Sequence, residues 1–309
     1  VANTKEIVGL EGSANAVEWA AEVLRTQFEQ VLAGREKALQ TEDIEGVHQL
    51  RVSIRRLRSA LRDFTPLINA PSLKEAKKEL KKLANRLGTA RDQDVAIAAL
   101  EKLREKAKKQ IIKADLEKMI AKRRTKREKA QIGLTKILDE SSIESLRENF
   151  SKGIDEAIEK SEKKSNLTAK EAGRELILKG LQEFCDLSPS LYNHFYQTEL
   201  HQLRIAAKRL RYSIELFTVC YGEQIAPFAK EMTGMQTYLG ELHDCDLWIE
   251  NLHWQLSLEK RKRQTTNFWL MSRFTKQRTR NYRAALDLWS KWRKNKFVKR
   301  LQKVLETES

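Results

Sequence analysis

Proline is scarce in this chain, with 4 residues in 309, and glycine numbers only 12. A sequence with so few breakers and so much Leu, Ala, Glu, Lys and Arg favours long helices over turn-rich sheets. Strict alternation of apolar and polar residues is also missing, so no strand is expected and the fold class is read as all-α. Cysteine is limited to Cys185, Cys220 and Cys245. They are odd in number, widely spaced and lack paired spacing, which predicts reduced thiols and a cytoplasmic setting. No apolar run is long enough to span a bilayer, so membrane insertion is not expected. The N-terminal residues show no basic segment followed by an apolar run, so no secretory signal is expected.

Acidic charge is in deficit. Lys and Arg total 59 against 43 Asp and Glu, for a net charge of +16 and a pI near 9.7. The excess implies attraction to polyanions, without choosing among nucleic acid, anionic lipid and phosphate polymers. Charged residues make up 33% and hydrophobic residues 40% of the chain, which keeps it within the range of packed proteins rather than disordered ones.

The cations are concentrated. "VHQLRVSIRRLRSALRDF", Val47–Phe64, holds five Arg, one His and a single acid, Asp63. At 100° per residue Val47, Leu50, Ile54, Leu57, Leu61 and Phe64 form one stripe, the expected core seam. His48, Arg51, Arg55, Arg58 and Arg62 form a second stripe beside it, about 21 Å long at 1.5 Å per residue. Ordinary solvated helix faces interleave acids with bases, because like charges at i and i+4 repel. The stretch "KEAKKELKK" does so and reads as surface; this ridge does not. It also prefers Arg, whose planar fork suits phosphate oxygens.

The ridge occurs twice. "LHQLRIAAKRLRYSIELF", Leu200–Phe217, aligns at a shift of 153 residues with eight of 18 positions identical. His201, Arg204, Lys208 and Arg211 repeat the cationic stripe, with Glu215 opposite Arg62. A shift of 152 aligns "LGTARDQDV" with "LGELHDCDL", so Arg91 falls on His243 and both Asp coincide. This is an internal duplication with a domain-sized period. Its halves are expected at 1–165 and 166–309, separated by the polar stretch "KSEKKSN" at 160–166. Two ridges facing each other across a pseudo-twofold axis would line a groove with cations on both sides.

The glycines at 88 and 240 read as helix ends, and the Asp pairs 92/94 and 244/246 as the N-caps of the helices that follow. A second role for these Asp is to bond and orient an Arg. Arg91 and His243, beside those helix starts, are candidate phosphate contacts. Arg56 and Arg209, Lys78 and Lys230, and Arg127 and Arg280 complete the candidates from comparable places in the two halves. The five His form no recognisable metal set with each other or with Cys245. No phosphate-cradling glycine loop, nucleophile elbow or zinc-protease motif occurs, so no cofactor, metal or catalytic machinery is expected. Trp269, Phe274, Tyr282, Leu286 and Trp289 read as core of the last helix.

"VHQLRVSIRRLR" and "LHQLRIAAKRLRY", each followed by an LG…D-x-D segment, resemble the CHAD domain (conserved histidine α-helical domain). The resemblance covers both halves from about residue 14 onward. It implies two four-helix-type bundles related by pseudo-twofold symmetry, with a basic central pore or groove that binds inorganic polyphosphate. Some members are fused to a triphosphate-handling β-barrel with an ExExK strand motif, which is absent here. The chain therefore resembles the stand-alone, non-catalytic form. It departs from symmetry at Glu215, Lys208 and His243.

The expected function is non-catalytic polyphosphate binding in the cytoplasm, with association to polyphosphate granules. The alternative is nucleic-acid binding, which single-strand binders support with interleaved aromatics. The first ridge has none, and the second has only Tyr212. A phosphate-transferring enzyme would need carboxylates for metal ions, and the Asp pairs are the only candidates.

Overall fold

The computed structural model describes residues 12–40, 44–68, 70–161, 166–258 and 264–306, and these are mostly helical, with short turns and connections between helices and no strand among them. Two compact units emerge. One runs from Ala14 to Leu167; the other takes Thr168 onward together with N-terminal residues, of which Gly12 and Ser13 are described.

In the N-terminal unit, α1 (Ala16–Ala33) starts at Asn15, whose side chain accepts from the amides of Val17 and Glu18. The sequence predicts one helix from 14 to 39. The chain instead breaks at Gly34 and resumes as α2 (Arg35–Leu39), with Leu50 packed against the glycine. The basic helix is α3 (Ile44–Asp63). Its predicted seam is the core: Val47, Leu50, Ile54, Leu57, Leu61 and Phe64 are each at most 1% exposed. At about 1.5–3 kcal/mol for each large apolar side chain buried, this seam holds the helix in place despite the charge beside it. Trp19 meets Phe64 edge-on, and Phe28 stacks on Phe150.

Next come α4 (Lys74–Lys106), α5 (Gln110–Ile137) and α6 (Glu140–Glu159), with Asp139 capping α6 through the Ser142 amide. The expectation that one helix ends at Gly88 and another starts at Asp92 is overturned. Helix α4 runs through both. Leu87, Gly88, Ala90 and Asp94 are buried, and packing against α3 and α5 outweighs the glycine's cost of about 1 kcal/mol. Asp92 and Asp94 therefore cap nothing.

The C-terminal unit builds α7 (Ala169–Leu187) from a capping box between Thr168 and Glu171, then a 3-10 turn over Ser188–Tyr192 with Pro189 in its first turn. The second basic helix is α8 (Gln197–Leu216), followed by the short α9 (Thr218–Tyr221). Its apolar stripe of Leu200, Leu203, Ala207, Leu210, Ile214 and Phe217 is again buried. Helix α10 (Ala226–Leu258) passes straight through Gly240, Asp244 and Asp246, so the predicted break fails here too. Helix α11 (Gln264–Lys294) packs along α10, and α12 (Phe297–Glu306) closes on α7 and α11. Phe274, Trp289 and Trp292 are core, while Trp269, Tyr282 and Leu286 are half-exposed. Most of the polar stretch at 160–166 lies outside the described residues.

Candidate phosphate-binding ridges

Because the seam of α3 is buried, the stripe next to it comes to rest at the margin of the core. His48, Arg51, Arg55 and Arg62 are half-buried and Arg58 is exposed. Arg91 arrives from α4, near enough to act on His48. Burial, then Arg91, then Arg55 and Arg51 hold the His48 imidazole below its ordinary pKa, with Glu45 opposing them. Gly88 has a use in mid-helix: a Cβ there would lie 2.9 Å from Nη1 of Arg51, so the bare backbone leaves room for that guanidinium. Arg62 bonds Asp63 through Nε and Nη2. Arg51, Arg58 and Arg91 form no ion pair among the described residues. These three cations therefore carry charge that no acid among the described residues pairs with, while Arg62 at the end of the ridge is neutralised by Asp63.

The C-terminal ridge is assembled differently. His201 and His243, from α8 and α10, place their Nδ1 atoms 3.2 Å apart. Burial lowers the pKa of both; His243 and the cations Arg204 and Lys208 lower His201 further, and Arg204 lowers His243 while Asp246 opposes. Arg211 is tied down, donating to Gln236 at 2.8 Å and pairing with Glu215 at 2.6 Å. Tyr212, the sequence-level stacking candidate, is 5% exposed with Arg211 lying over its ring. It is core, and offers no face to a base.

Behind each ridge sits a brace. Asp94 accepts from Arg127 Nε at 2.7 Å, Arg127 also donates to Gln131, and Gln131 donates to the Ala38 carbonyl ahead of α3. In the other unit Asp246 accepts from Arg278 Nε at 2.5 Å, Arg278 donates to the His194 carbonyl, and the Tyr282 hydroxyl donates to the Leu191 carbonyl ahead of α8. The second Asp of each D-x-D thus anchors a long hairpin to the segment entering the basic helix. The role of bonding an Arg holds for Asp94 and Asp246; the capping role does not.

Sequence reading missed Arg278, having matched Arg127 with Arg280. The repeat shifts to 151 residues at this point, so one register slip hid the partner. Arg280 is exposed and lines a shallow groove of about 430 Å³ with Thr275, Lys276, Thr279, Arg283 and Asp287. Arg127 is withdrawn into its pair with Asp94. Arg209 pairs with Glu183 at 2.7 Å and Lys78 with Glu75 at 3.2 Å, on surfaces off the ridges. Lys230 is exposed and Arg56 half-buried. Among the described residues no cluster of three or more His, Cys, Asp or Glu could hold a metal ion. The three thiols are free; burial pushes Cys220 up to about 11 and Cys245 up to about 12.

The fold is shared with solved structures. The chain aligns with the crystal structure of the CHAD domain from the plant Ricinus communis with a TM-score of 0.70 and 19% identity, covering 98% of this chain and 96% of that one. It aligns with PptA from Streptomyces chartreusis with a TM-score of 0.67 and 16% identity, covering 90% and 100% respectively. No curated protein sequence matches it. The family model of the CHAD domain matches residues 22–253, taking in both ridges and both D-x-D segments, and the chain accordingly belongs to the CHAD domain family.

Proposed function

We propose that this protein binds inorganic polyphosphate, without turning it over, through the basic ridges of α3 and α8. The observation that carries the reading is the N-terminal ridge, where Arg51, Arg58 and Arg91 have no ion pair among the described residues and where Arg51 and Arg91 act on a half-buried His48. Such a site offers many charge-assisted donors and few groups that read anything other than phosphate. Bound polyanion would relieve the repulsion and stabilise the fold by mass action. Membership of the CHAD family points the same way. The non-catalytic reading is supported by Asp94 and Asp246, whose carboxylates are taken by Arg127 and Arg278 rather than left open for magnesium.

Calorimetric titration with polyphosphate of defined length tests the proposal. Saturable binding that weakens steeply with salt is expected, together with its loss on joint reversal of Arg51, Arg58, Arg204 and Arg211 to Glu while helical circular dichroism is kept. Retained binding in that variant would exclude the ridges as the site. Orthophosphate released in the presence of magnesium, and abolished by Asp92→Asn or Asp244→Asn, would replace binding with catalysis. Cytoplasmic association with polyphosphate granules belongs to the same proposal and is read by microscopy of a tagged chain.

A further inference from the structure

The segment "LYNHFYQ", Leu191–Gln197, leads into the second basic helix and carries three exposed aromatics. Tyr192 is 56%, Phe195 77% and Tyr196 50% exposed. Large apolar groups this close together on a surface mark a place where something else sits. The segment is fixed rather than loose. Asn193 accepts from the Phe195 amide through its side chain and from the Tyr196 amide through its carbonyl. Tyr282 holds the Leu191 carbonyl, Arg278 the His194 carbonyl, and Arg293 the Tyr192 hydroxyl. The His194 ring lies against Phe195, with centroids 3.9 Å apart. Helix α11 thus fixes the backbone that carries these rings.

The segment runs directly into the helix of the phosphate ridge, Tyr196 being the residue before α8, which carries His201. Arg278, which holds His194, is paired with Asp246, and the charge of Asp246 acts on His243, which touches His201, the first rung. Arg293, near the end of α11, adds a cation at the Tyr192 hydroxyl. The corresponding positions before the first basic helix read "ALQTEDI", with two acids and no aromatic ring. We propose that Phe195 and Tyr196 stack a nucleobase carried on a phosphate chain whose phosphates lie on the C-terminal ridge, so this ridge binds base-bearing polyanions more tightly than bare ones. The inference rests on the ridge being a phosphate site. Aromatic stacking next to a cationic track is how single strands are held without regard to sequence.

The test uses two matched pairs on the full chain: oligothymidylate against an abasic oligomer with the same number of phosphates, and adenosine triphosphate against inorganic triphosphate. Affinities are read by competition at one salt concentration, with polyphosphate as reference. The expected result is about tenfold tighter binding of the base-bearing member, the scale of one stacking contact. A preference in the oligomer pair alone assigns the ligand to single strands; a preference in both pairs assigns it to nucleotides as well. Phe195→Ala should erase the difference with polyphosphate affinity unchanged, and Phe195→Trp should keep it. Equal affinities within both pairs, or a preference that survives Phe195→Ala, would overturn the inference and leave the ridge standing. Failure of every phosphate ligand to bind would remove both.

Discussion

The two basic helices share eight of 18 residues, yet they present charge in different ways. On α3, Arg51 and Arg58 have no ion pair among the described residues, and Arg91 comes alongside from α4. On α8, the residue matching Arg58 is Arg211, which is consumed by Glu215 and Gln236, and the residue matching Arg91 is His243, which is neutral unless protonated. Identical rungs therefore do not deliver identical charge. What surrounds a guanidinium decides whether it faces a ligand or serves the fold.

The comparison can be broken most directly by charge reversal. Arg51→Glu with Arg58→Glu should cost at least about a hundredfold in polyphosphate affinity, taking about 1.5–3 kcal/mol for each charged hydrogen bond lost. Arg204→Glu with Arg211→Glu should cost about tenfold, since Arg211 is already paired. Calorimetry at fixed salt reads both; equal losses would erase the distinction between ridges.

The braces should instead prove alike. The Arg127 side chain is 12% and the Asp94 side chain 4% exposed, and the Arg278–Asp246 pair is nearly as buried at 12% and 11%. Asp94→Ala and Asp246→Ala each strand a buried guanidinium, and each should cost about 3 kcal/mol in denaturant unfolding. A cost below 1 kcal/mol in either would show that brace to be ornamental.

Protons should separate the ridges again. His48, His201 and His243 titrate below 6.5 in the folded protein, because burial and neighbouring cations disfavour their charged forms. The unfolded chain takes up its protons first as pH falls below about 6.5, so stability declines from there to the folded pKa values and is flat above. Bound phosphate favours the charged imidazoles, so polyphosphate affinity should rise severalfold as pH falls through that window. His243→Arg gives the C-terminal ridge the permanent charge of the other and should flatten part of this rise. An unchanged pH profile in that variant would show that the imidazole pair takes no part.

The glycines provide the smallest and sharpest contrast. Gly88→Ala forces Arg51 to move and should weaken polyphosphate binding a few-fold. Gly240 has nothing within 4 Å of an added Cβ, so Gly240→Ala should leave binding alone and add about 1 kcal/mol of stability. The same change in affinity from both would detach Gly88 from the ridge.

Much of this was legible in residue order. Six apolar positions from Val47 to Phe64 at helical spacing placed the seam of α3, and the stripe next to it placed the cations. The glycines misled, because LG followed by D-x-D has the local appearance of a stop and a cap. Whether a helix continues through glycine depends on the packing of the whole helix, and at Gly88 the side chain of Arg51, from far along the chain, comes to rest on it. The same limit hid the Arg278–Asp246 pair and the platform before α8, since neither has a local signature.

Composition and periodicity by themselves determined an all-helical protein with two cationic stripes, because helix propensity and the 3.6-residue repeat act over neighbours in sequence. Only tertiary structure decided which cations remain unneutralised, which Asp serve as counter-ions and which rings are left facing water. Most of those outcomes turn on contacts between residues far apart in the chain, up to 101 positions for Tyr192 and Arg293, where distance in space and the loss of solvent set the energies.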